Sequence, residues 1–577
     1  MNQHVNPFHY LIIIVGAGLL FFPFLGSVNL FDWDEINFAE SAREMLITGD
    51  YASVQINFQP FWEKPPLFIW MQALSMKVFG VNAFAARFPN AIFGMLTLCL
   101  IYKKGRTYFK GHLAHWWVLC YLGAFTPHLY FKTGLIDPVF NFFIFLGILQ
   151  FYEALRNHST AYNANRHFLL AGIYTGIAIL CKGPVALLVS ILVLFAMVFA
   201  KRMVWFFTLG NLFIYLFACA LVSSIWFLPE TLKNGPYFII EFIRYQAGLF
   251  SQNVAGHQQP FYYHTLVLLI GCFPVSVIAL AAWKKNEFYT YPENVFRTTM
   301  QCLFWVVLIL FSIVKTKIVH YSSLCWLPLT FMGAYSIESI NQGVFRFRWK
   351  PKLALVLIGF TIATGLTLFP LLMVFKPEMV SGLIHDEFSR QNFMADAGWQ
   401  LTDAIPGLLM FAVLTLFIIR WKSTQTVTTF GILLFGNILV ISWAAAALTG
   451  RIEKHTQATA IAFFESKSQE KCYIFHTGYK SYAPYFYAKT QPLRYTDGLN
   501  LQNEAFYRSV GKHNYLQLSE QEKADLDDRQ KHWLIKGHVD RKVYFIAKTD
   551  NREDLDKEAT LTELWDRNGW VVYERKQ

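Results

Sequence analysis

From about residue 10 to residue 448 the chain alternates between apolar stretches and short polar breaks. The longer stretches hold roughly twenty residues, the length a helix needs to cross the hydrocarbon core of a bilayer. We read thirteen spans, at roughly 10–28, 84–102, 114–131, 138–154, 167–181, 184–200, 204–228, 262–283, 299–314, 320–340, 353–375, 403–420 and 426–448. The run at 67–80, LFIWMQALSMKVFG, is also apolar and reads as a helix lying on the membrane surface. Past 450 the pattern changes to dense charge with a period of two. CYIFH (472–476), VYFIAK (543–548) and GWVVYER (569–575) read as strands, and SYAPYFYAK (481–489) and 519–533 as helices. The predicted fold class is a polytopic α-helical membrane protein over 1–449 with about thirteen transmembrane helices, followed by a small α/β domain over 450–577.

Composition agrees with this pattern. Hydrophobic residues make up 55% of the 577 positions and charged residues only 15%, too apolar for one soluble domain. The first run lacks a basic leader and a small-residue cleavage site, so it reads as a retained helix and not a signal peptide. Of eight Cys, all but Cys472 lie in apolar runs, without zinc spacing or a disulfide framework.

The net charge of +12 does not indicate a nucleic-acid partner. With 67–80 kept on the surface, Lys103, Lys104, Arg106, Lys110, Arg156, Arg166, Lys201, Arg202, Lys284 and Lys285 fall on one side. Arg346, Arg348, Lys350, Lys352, Arg420 and Lys422 join them. Lys and Arg collect in cytoplasmic loops, which places the N-terminus inside and the 450–577 domain outside. A fourteenth span at 67–80 is the alternative, and it sends the later clusters to the opposite side. In the thirteen-span reading 29–83 is the first external loop and 229–262 the second large one.

The external loops carry the candidate chemistry. NLFDWDEINFAESAREMLITGDY follows the first span, and its spacing of Ile36, Ala39, Ala42, Met45 and Leu46 predicts an amphipathic interfacial helix over 34–47, closed by Gly49. Asp34 and Glu35 fall in its first turn, where the helix dipole alone would favour acids. Basic residues against the charge rule are Lys64, Lys132, Lys182, Arg244, Lys315 and Lys317, three of the contexts being WEKPPL, CKGPVALL and VKTKIVHY. Lysines at helix ends make an anion site, with phosphate the natural ligand beside a bilayer, and snorkelling to lipid headgroups is the plainer alternative for any one of them. Asp137, in KTGLIDPVF, is either a second acid of the site or a helix cap ahead of Pro138. Glu63, beside Lys64, and His257, in AGHQQPFYYH, can share a metal or a hydrogen bond.

DWDEINFAESAREMLITGDY, WEKPPLFIW, VFGVNAFAARFPNAI, LIDP, CKGP, HQQPFYYH and KTKIVHYSSLCWLP occur in that order. Over about 30–330 the chain resembles bacterial integral-membrane glycosyltransferases of the GT-C superfamily. The lipid A 4-amino-4-deoxy-L-arabinose transferases are the branch it most resembles, and protein O-mannosyltransferases are more distant. The resemblance implies a monosaccharide donor on undecaprenyl (polyprenyl) phosphate and an acceptor, lipid A or another glycolipid, at the periplasmic face of the inner membrane. It implies inverting displacement with Asp34 as catalytic carboxylate, aided by Asp137 and Glu35. Lys64, Lys182 and Tyr321 would hold the donor phosphate, with Lys315 and Lys317 nearby. No cofactor is required, and a structural divalent metal such as zinc would sit on Glu63 and His257. His320 departs from the pattern, standing where those transferases carry a small or hydroxyl residue before the Tyr. A protein acceptor remains open. A lipid-linked sugar transporter or flippase is disfavoured, because no internal repeat is seen and the ionisable residues gather at one face.

Overall fold

The computed structural model describes residues 6–157, 164–200, 205–251, 259–283, 289–421, 426–490, 507, 509–511 and 518–576. Lys201, Arg202, His257, Lys284, Lys285 and Lys422 lie outside the described residues. The chain divides into two compact units, one of 1–26, 62–369 and 402–446, the other of 27–61, 370–401 and 447–577.

In the first unit every apolar run carries helix. Among the described residues of the whole chain, seven helices are long and apolar enough to cross a membrane, or up to eight when the bent pair Tyr263–Gly271 and Val275–Trp283 is taken as one span. Leu67–Phe79 is shorter, as are Pro7–Phe21, Leu113–Leu122 and Val185–Ala200. Two runs expected to be continuous are broken. The 114–131 run splits into Leu113–Leu122 and Phe125–Tyr130, and the 262–283 run bends by 106° at a break holding Pro274. Proline has no N–H to continue the ladder, and carbonyls freed in a low-dielectric interior need new donors. Asn437, fully buried, supplies one: its Nδ2 donates to the Gly123 carbonyl at 2.6 Å and the Phe273 carbonyl at 3.4 Å.

Small residues let these helices close. On Asn165–Lys182, Gly172 and Gly176 face Leu209–Asn234, and a Cβ on Gly172 would lie 2.3 Å from the Tyr215 carbonyl oxygen. This is the small-xxx-small contact of membrane helices, where close backbone approach and dispersion replace the hydrophobic effect. Gly172→Ala must therefore push backbone and is expected to lower the thermal midpoint in detergent, an overpacking cost of about 1–3 kcal/mol. Gly16→Ala, whose Cβ meets nothing within 4 Å, should leave the midpoint unchanged or raise it. Equal midpoints for the two variants would refute this packing account.

The second unit holds the helix Asp34–Thr48 and a four-stranded sheet. A short hairpin, β1 (Gln55–Ile56) and β2 (Gln59–Pro60), follows the helix. The sheet is built from β3 (Cys472–Thr477), β4 (Lys542–Lys548), β5 (Leu561–Arg567) and β6 (Trp570–Arg575) in the order β3-β4-β6-β5. β3 and β4 run parallel, the other pairs antiparallel. Val543 to Ala547 are all buried, as a central strand covered on both faces requires. The connection from β3 to β4 includes the helix Glu520–Lys536, started by a capping box of Ser519 and Glu522. Leu534 and Ile535 of that helix pack with Tyr473, Phe545 and Val571 in one core.

Asp34–Thr48 begins and ends where its spacing predicted, with Gly49 in the left-handed region at φ 72°. Its polar side is not turned to water as an interfacial helix would have it: residues 35–45 are all buried. Arg43 makes this tolerable. Its Nε and Nη2 donate to both oxygens of Glu40 at 2.8 and 2.7 Å, and Nη2 also reaches the Thr490 carbonyl at 2.8 Å. Burial, with the Glu40 charge beside it, pushes the Glu44 carboxyl well above the usual carboxylate range. Glu44 nonetheless accepts the Phe58 N–H at 2.8 Å, tying the hairpin to the helix.

Candidate active site

In the first unit the CKGP break delivers one of the expected cations. Lys182 is the last residue of its helix, Gly183 follows at φ 98°, a conformation few side chains tolerate, and a new helix starts at Val185 after Pro184. Asp137 opens Asp137–Arg156 with Pro138 in the first turn, but no side chain caps that helix. The carboxylate turns instead to Lys182, with Nζ 2.5 Å from Oδ1. Both side chains are largely buried, 13% and 3% exposed, so each charge depends on the other.

Other groups surround the pair. Ser323 Oγ lies 3.5 Å from Asp137 Oδ1 and accepts from Asn141 Nδ2 at 2.9 Å. His320 Nε2 stands 4.0 Å from Asp137 Oδ2. The Lys182 ammonium sits 5.1 Å from the centre of the Tyr321 ring and 5.6 Å from that of Phe140. Asp137, Lys182 and Tyr321, three of the expected site residues, thus lie together. His320, Ser323 and Asn141 join them unannounced, and the oddity of His320 before the Tyr was the one sequence signal pointing there. One of the three ammonium protons of Lys182 is used by Asp137, so the cluster can still donate to an anion.

The remaining cations separate by partner. Lys64 lies 5.1 Å over the Tyr245 ring. Its segment is docked by Trp62, whose Nε1 donates to Glu230 at 3.0 Å, and by Gln246, which donates to the Glu63 carbonyl at 3.1 Å. Lys317 is buried and donates to the Val314 carbonyl at 2.7 Å, just past the helix Tyr291–Ile313, whereas Lys315 is exposed. Lys132 donates to the carbonyls of Leu20, Phe21 and Pro23, closing the end of Pro7–Phe21, a structural duty for that residue. Arg244 pairs with Glu241 on its own helix. Among the described residues no group of three or more His, Cys, Asp or Glu is placed to hold a metal, and His257 lies outside them.

An apolar cavity of about 610 Å³ opens between Val185–Ala200 and Tyr291–Ile313, lined by Leu192, Ala196, Trp305, Ile309 and Ile313 among others. Its walls suit a hydrocarbon chain.

In the second unit Asp34 stands half-buried at the start of its helix. The segment before it is pinned by residues more than four hundred positions away. Tyr487 Oη accepts the Leu30 N–H at 2.6 Å, while Gln457 donates to the Leu30 carbonyl at 2.7 Å and accepts the Asp32 N–H at 3.2 Å. Glu35, 4% exposed, accepts the Phe31 N–H at 2.9 Å, so its carboxylate is engaged in bracing this turn. Asp32 accepts the Tyr482 N–H at 3.3 Å. Burial pushes Asp32 up to about 6; the Asp34 charge adds, and hydrogen bonds from Ser481 and Tyr482 oppose.

That shift has a consequence for stability. Between the ordinary value of 3.8 and about 6 the folded chain holds the Asp32 proton more tightly than the unfolded chain. Stability from this group therefore falls as pH rises through that window and is level above it. Asp32→Asn is expected to flatten the thermal midpoint across pH 4 to 6 relative to the parent. Parallel profiles for the two proteins would show that Asp32 titrates normally.

Comparison with known proteins bears on both units. Residues 63–227 match the family described as dolichyl-phosphate-mannose-protein mannosyltransferase. An undecaprenyl phosphate-alpha-4-amino-4-deoxy-L-arabinose arabinosyl transferase of Photorhabdus laumondii is 26% identical over 355 residues, 60% of this chain and 61% of that one. The protein of the same name from Wigglesworthia glossinidia brevipalpis is 26% identical over 360 residues, 59% of this chain and 60% of that one. The matched part thus spans about three fifths of the length of these relatives. The crystal structure of ArnT from Cupriavidus metallidurans bound to undecaprenyl phosphate superposes with a TM-score of 0.74 at 17% identity, over 99% of this chain and 98% of that one. The chain therefore has the fold of that protein, and its ordered motifs resemble the GT-C membrane glycosyltransferases, the 4-amino-4-deoxy-L-arabinose transferases and protein mannosyltransferases among them.

Proposed function

We propose that the protein is a glycosyltransferase moving a monosaccharide from undecaprenyl phosphate to an acceptor oxygen on lipid A or a related glycolipid. The observation that carries this reading is the buried Asp137–Lys182 pair with Tyr321 against the ammonium, an arrangement that would offer a phosphate a cation already held in place. Support also comes from the apolar cavity, sized for part of a polyprenyl tail, and from the undecaprenyl phosphate named for the relatives.

In this mechanism the acceptor oxygen attacks the anomeric carbon from the face opposite the phosphate. The new C–O bond forms as the bond to the phosphate oxygen breaks, the configuration inverts, and Asp34 takes the acceptor proton where there is one. The phosphate leaves as an anion and needs no protonating acid, unlike the alcohol released in glycoside hydrolysis. Lys182, Tyr321 and Lys64 stabilise its growing charge, with Lys317 and Lys315 nearby in sequence, and Asp137 fixes the Lys182 ammonium. Glu35 shapes the turn that presents Asp34. A metal at Glu63 and His257 would have a structural part. The reading places the N-terminus in the cytoplasm of an inner membrane and residues 450–577 in the periplasm, with thirteen crossings.

A protein acceptor is the second reading, favoured by the mannosyltransferase match over 63–227. Both are tested by incubating purified protein with labelled undecaprenyl-phosphate sugars plus either lipid A or a Ser/Thr peptide, read by mass spectrometry. A sugar-modified glycolipid is expected. Modified peptide alone would establish the second reading, and release of free sugar or no product would overturn both.

A further inference from the structure

We propose that Trp33 and Lys480 form an acceptor-recognising corner beside Asp34, the indole receiving a saccharide ring and the ammonium an anionic substituent on it. This deepens the glycosyl-transfer reading and rests on it. The base meets the nucleophile, and the nucleophile belongs to the acceptor, so side chains flanking Asp34 face the acceptor more than the donor phosphate.

Trp33 precedes Asp34 directly and is 41% exposed, whereas residues 35–45 just after it are all buried. Its indole is held in place. The Tyr482 ring meets it edge-on, 5.7 Å between centres at 85°, and Tyr482 itself packs on Phe61. Lys480, exposed in the turn after β3, holds its ammonium 5.1 Å from the centre of the Trp33 ring and 5.6 Å from that of Tyr482. The bonds from Gln457, Tyr482 and Tyr487 to residues 30–32 fix the backbone beneath. An exposed aromatic plane bearing a cation, both preorganised, suits a flat apolar sugar face with a phosphate or carboxylate at its edge. The corner also assigns work to the C-terminal segment, which otherwise carries no recognisable chemistry.

The competing use of Trp33 is as an apolar anchor at the membrane surface. Steady-state kinetics separate the two, varying acceptor at saturating undecaprenyl-phosphate sugar and then donor at saturating acceptor, with a diphosphoryl and a monophosphoryl glucosamine-disaccharide lipid as acceptors. Trp33→Ala and Trp33→Leu should both raise the acceptor KM about tenfold, leave the donor KM unmoved, and be rescued by Trp33→Tyr. Lys480→Gln should raise the KM of the diphosphoryl lipid about tenfold and that of the monophosphoryl lipid less, and Lys480→Arg should restore the preference. A Trp33→Leu variant with the parental acceptor KM makes the indole an anchor and overturns the corner. So does Lys480→Gln acting equally on both lipids, or a shift in donor KM alone. Parent protein that transfers sugar to neither lipid nor peptide overturns the transfer reading itself. An active parent with unaltered variants overturns only the corner.

Discussion

Asp34→Asn is expected to slow transfer by roughly a hundred- to ten-thousand-fold, the range for removing a positioned general base. Donor affinity should be nearly unchanged. The substitution keeps shape and one acceptor oxygen at the head of Asp34–Thr48, so the helix and the bonds that pin residues 30–32 are retained. The loss should therefore lie in kcat, with little change in the KM for the lipid donor. Burial holds the Asp32 titration up and the Asp34 charge adds least, so the variant should lower Asp32 only slightly. Unimpaired turnover in Asp34→Asn would remove this carboxylate from the mechanism, and a large rise in donor KM would move it to the phosphate side.

Lys182→Ala is expected to act twice. Removing the ammonium leaves the Asp137 carboxylate, 3% exposed, without its 2.5 Å partner. Breaking one side of a buried pair costs about 3–5 kcal/mol of stability. On the proposed reading it should also weaken donor binding, because the lipid phosphate would lose the cation held against Tyr321. The double variant Asp137→Asn/Lys182→Gln separates these effects. With both charges gone, most of the thermal midpoint should return while donor binding stays weak. Double-variant protein that binds undecaprenyl-phosphate sugar as the parent does would show that Lys182 serves the fold and not the phosphate.

Local pattern carried much of the secondary structure. The 3.6-residue spacing from Ile36 to Leu46 with Gly49 beyond it marks the helix Asp34–Thr48, because only glycine closes that turn cheaply. β3, β4 and β6 were legible from alternating or continuous apolar residues. β5 was not: Thr562, Glu563, Leu564, Asp566 and Arg567 are exposed on an edge strand, where charge guards an open ladder and hides the hydrophobic signal. The breaks near Gly123 and Pro274 leave no local signal for a different reason. A helix in a membrane breaks only where another element supplies donors, and here Asn437 does so from far along the chain.

The sequence by itself determined that most of this chain is apolar helix, that its acids and misplaced lysines are unusual, and which superfamily its motifs resemble. These properties are local, set by hydropathy, period and short motifs. Tertiary structure alone decided that Asp137 neutralises Lys182 instead of capping its own helix, and that Lys132 closes a helix end while His320 stands by the acid. It also decided that residues 457–487 grip the turn before Asp34. Each of these is a choice of partner for a wholly or partly buried polar group. Such a group pairs with whatever the packing brings within reach, and no local pattern records which residue that will be.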